Sequence, residues 1–236
     1  MSIYAIWGPP NSGKTTLAVD LAHAFSAQDQ STCLISPESY SELSSLLGIQ
    51  IMQGKSLAAV KSDKDSIKQL VHTAEELLYV LAAPADADAF GEGLSSDTAR
   101  ALIEQAGAVF DAVIVDCGSD CSDVLAAWAI RKADRVVLTS GAAPSAALWY
   151  RAHEKALVTV RKAILPVCME CSRDFDYQSL AALTGYAPKV WLPFVPDAQS
   201  RMEKSHALYG TNGKPGRKYT AAIDELGMLL EGGTAK

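Results

Sequence analysis

The sequence predicts an α/β protein with a doubly wound, mainly parallel sheet and helices on both faces. Apolar strand-like runs alternate with segments of helical spacing along the chain, and this alternation is typical of βαβ units. Two of the runs, 111–118 and 134–141, are apolar almost without interruption. Such runs indicate strands of a sheet that is covered on both faces.

The first half of the chain starts with an apolar strand at 2–8. The helix that follows has apolar side chains at the helical positions Leu17, Leu21 and Phe25. A second strand ends near a proline, and the short helix after it ends at a glycine. Residues 66–84 are ambiguous, and we expect a helical or irregular piece before a strand. The expected elements of this half are strands at 2–8, 31–38 and 77–84 and helices at 13–28 and 39–49.

The second half continues the alternation. The helix at 95–110 begins with serine and aspartate, which are good N-caps, and the helix at 176–185 ends at Gly185. The remaining expected elements are strands at 111–118, 134–141, 162–169 and 189–196 and helices at 121–133, 145–160 and 217–232. The glycine-rich, basic segment 209–218 is the most loop-like part of the chain.

Composition limits the classes of function. The chain has 236 residues and a net charge of −6, so it has no global attraction for nucleic acid or anionic lipid. No targeting segment or membrane-spanning run is visible. Five scattered cysteines (Cys33, Cys117, Cys121, Cys168 and Cys171) are typical of free thiols in a reducing compartment. We expect one domain over residues 1–236, in a cytoplasmic protein that could be peripheral to the membrane through a partner.

Residues 8–15 read GPPNSGKT and match G-x-x-x-x-G-K-[ST] in full. The match lies between the first strand and the first helix, where backbone N–H groups at a helix N-terminus can cradle phosphates. Lys14 is expected to reach the β- and γ-phosphates, and the Thr15 hydroxyl to bind Mg²⁺. The candidate nucleotide-binding residues are Gly8, Pro9, Pro10, Asn11, Ser12, Gly13, Lys14, Thr15 and Thr16.

A phosphate-binding loop of this kind also needs an acid at the end of another buried strand to hold the metal. Asp116 ends the apolar run 111–118 and is the natural candidate. Thr15 and Asp116 are therefore the predicted metal residues.

At this point the chain resembles the MinD/ParA group of P-loop ATPases, and within it most closely the CpaE/TadZ branch associated with pilus assembly. The resemblance covers nearly the whole chain. It rests on the P-loop and on the order of further segments, chiefly FDAVIVDCGSD, ADRVVLTSGAAPS and LPFVPDAQSRMEKSHAL. It implies an ATP (or ADP) and Mg²⁺ site, with Pro196 and Asp197 in the segment that packs on the base.

The chain departs from that family at several positions. Pro9 stands where the family has a lysine that reaches the partner's ATP, so this Walker A loop is atypical. Ser36 and Glu38 stand where the second strand usually ends in two aspartates. Glu38 is thus a candidate catalytic residue beside Lys14, or else an exposed acid at a helix start. The asparagine that reads adenine after strand 162–169 is not evident.

The resemblance implies an ATP-binding protein with slow or partner-stimulated hydrolysis. It would act as a nucleotide-dependent homodimer switch in localisation or assembly, with a protein partner in a pilus or secretion system. Arg131, Arg135, Arg201 or Lys204 could replace the missing cation. Two alternatives remain open: a P-loop small-molecule or nucleotide kinase, and a ParA-like DNA partition ATPase or a nucleotide-binding scaffold with little hydrolysis. No dense arginine cluster of the kind found in kinase lids is present.

Other features are expected to be structural. Cys168-x-x-Cys171 with Cys117 and Cys121 could form a zinc site, but free cysteines in apolar strands are the favoured interpretation. The C-terminal helix is amphipathic, with an acidic polar face, and is expected to pack on the domain rather than on a membrane.

Overall fold

The computed structural model describes residues 1–84, 86, 93–120 and 122–232, and its strands form one eight-stranded sheet in the order β3-β4-β2-β5-β1-β6-β7-β8. Their bounds are β1 Ser2–Trp7, β2 Thr32–Ile35, β3 His72–Glu75, β4 Leu78–Leu81, β5 Ala112–Asp116, β6 Arg135–Thr139, β7 Ile164–Met169 and β8 Val190–Leu192. Neighbouring strands run parallel, except that β3 is antiparallel to β4. The predicted fold class is confirmed.

Helices cover both faces of this sheet. Their bounds are α1 Lys14–Ser26, α2 Leu43–Leu47, α3 Ile67–Leu70, α4 Ser96–Val109, α5 Val124–Lys132, α6 Ser145–Ala152, α7 Glu154–Thr159, α8 Tyr177–Thr184, α9 Ala198–Met202 and α10 Gly213–Leu230, with a 3₁₀ turn at Leu57–Ala59. Helices α1, α2 and α10 contribute to the core on one face, and α3 to α7 to the core on the other.

Successive strand residues enter opposite cores, as the period of two requires. In β1, Tyr4 and Ile6 belong to the α1/α10 core, whereas Ala5 and Trp7 belong to the α4/α5 core. All four side chains are at most 2% exposed. Burial on both faces explains why the central strands are apolar without interruption.

The ambiguous segment 66–84 contains a helix–strand–strand sequence. The short helix α3 is followed by β3 and β4, which form a hairpin at the edge of the sheet. At the tight connection between them, Leu77 adopts a φ of 62°. A positive φ is rare for leucine, so the tight turn at Leu77 could not be predicted from the sequence. The antiparallel edge strand β3 was therefore not predicted.

Two other expectations differ from the structure. The helix expected at 145–160 is divided into α6 and α7 at His153, whose φ and ψ of −99° and 8° are not helical. Part of the segment predicted to be loop-like, 209–218, is helical because α10 begins at Gly213. Pro215 lies in its first turn, where a missing N–H costs nothing, so the basic residues after it belong to the helix.

The C-terminal helix packs on the domain as expected. Its apolar side, including Tyr219, Ile223 and Leu226, joins the core that α1 also lines, and these three residues are at most 1% exposed. In the part of the chain that the structure describes, no helix has the length and hydropathy to cross a membrane.

Candidate functional site

The loops that follow β1, β2, β5 and β7 meet at the carboxyl edge of the sheet. The β1–β5 register places Ile6 opposite Asp116, so the acid at the end of β5 lies beside the strand that enters the loop 8–13. The strand order changes direction around β1. Ligands of open α/β sheets bind in the crevice at such a point.

Two glycines let the loop 8–13 lie against the ends of the strands. A Cβ on Gly8 would be 2.2 Å from Thr139 Oγ1 and 2.7 Å from the Thr139 carbonyl oxygen. Gly13 has a φ of 77°, and a Cβ there would be 2.3 Å from Met169 Sδ. A side chain at position 8 would collide with the backbone of β6, and at Gly13 the positive φ itself disfavours any larger residue.

Ser12 anchors the loop to β6. Its hydroxyl donates to the Pro9 carbonyl at 2.8 Å and lies 2.6 Å from Thr139 Oγ1. Ser12 and Thr139 are both completely buried. Asn11 has a φ of 55°, which asparagine tolerates better than most residues. The loop shape is therefore set before any ligand arrives.

Lys14 begins α1 and points back along the loop. Its Nζ donates to the Pro9 carbonyl and to Ser119 Oγ, each at 2.8 Å. Burial lowers the pKa of the ammonium group, and the negative charges of Asp116 and Glu38 oppose part of this shift. The ammonium thus stands inside the curve of the loop, where bound phosphates would meet it.

Asp116 is 3% exposed, and the Thr15 side chain lies near its carboxyl group. Burial raises the pKa of this carboxyl to about 7, although the Thr15 side chain and the charge of Lys14 lower it. A carboxylate and a hydroxyl are oxygen ligands suited to Mg²⁺, which usually takes its remaining ligands from phosphates and water. The donor set therefore fits a nucleotide-bound Mg²⁺, even though the described residues contain no group of three or more His, Cys, Asp or Glu placed to bind a metal.

Glu38 lies across the cleft from the loop. Burial raises the pKa of its carboxyl, Lys14 lowers it, and Glu42 and Asp123 raise it further. A Cβ on Gly118 would be 3.5 Å from Glu38 Oε1, which shows that the carboxylate reaches the segment just after Asp116. Ser36, by contrast, is 1% exposed. Of the two residues, Glu38 is the one that faces the cleft.

These groups line a cleft of about 770 Å³. Its lining comes from the P-loop, from the segments after β2, β5, β7 and β8, and from α9 and α10 with the segment between them, and comprises Pro10, Asn11, Ser12, Gly13, Lys14, Thr15, Thr16, Glu38, Tyr40, Glu42, Ser119, Met169, Glu170, Cys171, Pro193, Phe194, Val195, Pro196, Ala198, Gln199, Met202, Leu208 and Tyr219. Among the described residues of this lining, Lys14 is the only lysine or arginine. None of the four suggested substitute cations (Arg131, Arg135, Arg201 and Lys204) lines the cleft.

The other predicted site residues are placed as follows. Gly8 and Pro9 do not line the cleft but form the part of the loop that contacts the sheet. Pro196 lines the cleft, whereas Asp197 does not. Asp197 immediately precedes α9, and its carboxylate lies 3.9 Å from Arg201.

Sequence reasoning missed two residues of the site and one buried acid behind it. Ser119 bonds Lys14, Glu170 enters the cleft after β7, and Asp20 on α1 is completely buried. Asp20 accepts from Leu208 N at 2.8 Å, Tyr209 N at 2.9 Å and Tyr219 Oη at 2.7 Å. Burial raises the pKa of Asp20 to about 6 against these bonds. An acid between Leu17 and Leu21, on the apolar side of a helix, was a signal that could have revealed it.

The cysteines do not form a zinc site in the described part of the chain. Cys33, Cys117 and Cys168 are buried, whereas Cys171 is exposed and lines the cleft. Burial raises the pKa of the Cys33 and Cys168 thiols, as expected for neutral side chains in a core. Cys121, the fourth member of the suggested zinc set, lies outside the described residues.

Comparison with solved structures identifies the fold. MinD from Pyrococcus horikoshii in complex with Mg-ADP superposes with a TM-score of 0.75 at 16% identity, covering 98% of this chain and 96% of that one. A ParA family ATPase from Chlorobium tepidum gives 0.78 at 14% identity, covering 97% and 99%. An ATP complex of McdA from Cyanothece gives 0.73 at 15% identity, covering 100% and 98%. No protein-family model and no curated protein sequence matches the chain.

Proposed function

We propose that this chain is a P-loop nucleotide-binding protein of the MinD/ParA type that binds ATP or ADP with Mg²⁺. The observation that carries the proposal is the meeting of Lys14, Thr15 and Asp116 at the carboxyl edge of the sheet, where the β1–β5 register sets Asp116 beside the strand that enters the loop. The fold is that of MinD and ParA ATPases, and the solved relatives include a Mg-ADP complex and an ATP complex.

The chain's own residues divide the work of binding. Backbone N–H groups of residues 11–16 and the Lys14 ammonium hold the phosphates, because prolines at 9 and 10 have no N–H to donate. The Thr15 hydroxyl and the Asp116 carboxylate hold the cation. Bound Mg²⁺ would neutralise charge on the β- and γ-phosphates.

Hydrolysis is proposed to be slow or to await a partner. Glu38 is the acid that can orient a water in the cleft, since its carboxylate faces the space between Lys14 and the segment after Asp116. Lys14 is the one lysine or arginine in the lining of the described chain. A missing second cation costs roughly 10³–10⁵ in rate in phosphoryl-transfer enzymes that depend on one.

The output is proposed to be a nucleotide-dependent homodimer that a protein partner reads in localisation or assembly. MinD from Aquifex aeolicus has been solved in complex with MinC, which shows that a protein with this fold can present a partner surface. The partner here is proposed to belong to a pilus or secretion system, on the basis of the CpaE/TadZ resemblance.

The binding step can be tested by calorimetry with ATP·Mg²⁺ and GTP·Mg²⁺. Lys14→Met removes the ammonium but keeps most of the side chain, and we expect it to weaken binding roughly 10- to 150-fold, the range for a charge-assisted hydrogen bond. Lys214→Met is the matched control on the exposed start of α10. Equal affinity of wild type and Lys14→Met, or no binding of either nucleotide, would refute the proposed site.

The switch can be tested by size-exclusion chromatography with light scattering. We expect a monomer without nucleotide and a dimer with ATP·Mg²⁺. A monomer under both conditions contradicts the dimer switch. Fast phosphoryl transfer to an added small-molecule acceptor would instead support the kinase alternative.

A further inference from the structure

The cleft runs along the carboxyl edge of the sheet and has two ends. Asp116 ends β5 and Glu38 follows β2, and both strands lie on one side of β1, whereas β7 and β8 lie on the other side beyond β6. Because the proposed metal and the phosphate beside it lie at Asp116, the rest of a bound nucleotide extends toward the β7–β8 end. The lining at that end comes largely from the segments after these two strands.

Among the described residues at this end, two aromatic side chains line the cleft, Phe194 and Tyr219. Tyr219 is 1% exposed, and its hydroxyl donates to Asp20 at 2.7 Å, so its ring is packed into the core. Phe194 is only half-buried. Every base has a flat π-face that can stack on an aromatic ring. Of the two rings, Phe194 is therefore the one that a base can cover.

The main chain of Phe194 is held by the segment that follows the neighbouring strand. Phe194 N donates to Glu170 Oε2 at 3.2 Å, and Glu170 N donates to the Leu192 carbonyl at 3.0 Å. These two bonds join the segment after β7 to the end of β8. The backbone that carries the Phe194 ring is thus fixed without a nucleotide.

A guanidinium group covers one face of the same ring. Cζ of Arg173 lies 5.0 Å from the centroid of the Phe194 ring, a distance at which a cation is attracted to the face of an aromatic ring. Phe194 lines the cleft, whereas the exposed Arg173 does not. The guanidinium therefore lies against the ring face that is turned away from the cleft, and the other face is left for a base.

We propose that Arg173 is a positioning residue of the nucleotide site, which holds the Phe194 ring as the surface on which the base stacks. The inference rests on the proposed binding of ATP or ADP and adds to it the side chains that bind the base. It accommodates adenine, because a stacked ring contacts the flat face of a base and not its hydrogen-bonding edge. Arg173 acts only through Phe194, from the outer face of the ring.

The first test compares ATP·Mg²⁺ with tripolyphosphate·Mg²⁺ by calorimetric titration. Tripolyphosphate has three phosphates and no base, so it reports on the phosphate site alone. Phe194→Leu keeps an apolar side chain but removes the ring. We expect this variant to bind ATP at least about 5-fold more weakly, the lower end of the loss for one base–aromatic stack, and to bind tripolyphosphate as wild type does. Phe194→Tyr keeps the ring and should retain the affinity for ATP.

The second test addresses the cation. Arg173→Met keeps most of the side-chain length and removes the charge, and we expect it to weaken ATP binding about 2- to 5-fold, as for an exposed cation–π pair. Arg173→Lys keeps a cation and should recover most of the affinity. Adding Arg173→Met to Phe194→Leu should cause no further loss, because the cation acts through the ring. Full additivity of the two losses would contradict a role through Phe194.

Two control variants match these changes. Arg161→Met removes an exposed arginine before the start of β7, at the opposite edge of the sheet. Trp191→Leu removes an aromatic ring on β8 that does not line the cleft. Both are expected to bind ATP and tripolyphosphate as wild type does.

Tyr40 distinguishes the two ends of the cleft, because its ring lines the cleft near Glu38. Loss of ATP affinity in Tyr40→Leu but not in Phe194→Leu would overturn the inference, and so would an equal loss of ATP and tripolyphosphate in Phe194→Leu. Either result leaves the proposed phosphate site standing. Failure of wild type to bind both ligands would overturn the proposed function as well.

Discussion

Lys14 and Ser119 are joined by a hydrogen bond of 2.8 Å from Nζ to Oγ. The carbonyl of the same serine accepts from Trp149 Nε1 at 2.6 Å. Trp149 lies on α6, where its ring stacks on His153 at 4.3 Å and meets Trp7 edge-on at 5.1 Å. A single residue thus links the ammonium of the P-loop to a buried indole.

This link predicts a fluorescence signal. Phosphates compete with Ser119 for the Lys14 ammonium, so binding of ATP·Mg²⁺ or GTP·Mg²⁺ should shift the segment at 119 and change the emission of Trp149. We expect Trp149→Phe to lose most of the change and Trp128→Phe, on α5, to keep it. A change of the same size in Trp149→Phe would show that the link does not respond to nucleotide.

Asp116→Asn should remove the Mg²⁺ dependence of nucleotide binding. The change keeps the size of the side chain but removes the charge that the cation requires. For wild type we expect the nucleoside triphosphate to bind tighter with Mg²⁺ than with EDTA. For the variant we expect the ratio of these two affinities to fall about 10-fold or more. Isothermal titration measures both.

Asp120→Asn is the control for this experiment. Asp120 follows closely in the chain, is exposed and accepts a local bond from Ser122 N at 3.1 Å. If Asp116→Asn keeps the full gain in nucleotide affinity that Mg²⁺ gives to wild type, then residues other than Asp116 bind the metal.

Asp20 makes stability depend on pH. Its pKa is raised by burial from 3.8 to about 6 in the folded protein, so its neutral form favours folding. The contribution is fully present below about pH 4 and is lost as the pH rises through about 6. Relative to Asp20→Asn, which does not titrate, wild type should lose up to roughly 3 kcal/mol of unfolding free energy between pH 4 and pH 7.

Urea denaturation at several pH values measures this difference. Asn at position 20 can still accept from Leu208 N and Tyr209 N, so the variant is expected to fold. For the exposed control Asp174→Asn, the difference in unfolding free energy from wild type should not change by this amount between pH 4 and pH 7. A pH-independent gap between wild type and Asp20→Asn would contradict the prediction.

Gly8→Ala should destabilise the fold by about 1–3 kcal/mol, the range for an overpacked site. The new methyl group would meet Thr139 Oγ1 and its backbone oxygen at 2.2 and 2.7 Å, and a backbone atom cannot turn aside. Gly54→Ala, where a Cβ would have no atom within 4 Å, should change the free energy of unfolding by less than about 0.5 kcal/mol. Equal unfolding midpoints for the two variants would show that the P-loop does not pack closely against β6 at Gly8.

Much of the fold could be predicted from local patterns. The apolar strands at 111–118 and 134–141, the loop between β1 and α1, and the acid at 116 are each contained in a short stretch of chain. Errors occurred where a local pattern was weak: the β3–β4 hairpin depends on a left-handed Leu77, and the start of α10 on a proline that the first turn accepts.

The sequence by itself determined the alternating α/β order and the phosphate-binding loop, because apolar periodicity and glycine–lysine spacing act over a few residues. Only the tertiary structure decided which strands are neighbours, and so brought Asp116 to Thr15, Ser119 to Lys14 and Tyr219 to Asp20. These pairs are about 100 to 200 positions apart in the chain. Their contacts follow from packing both faces of one sheet, which no local segment specifies.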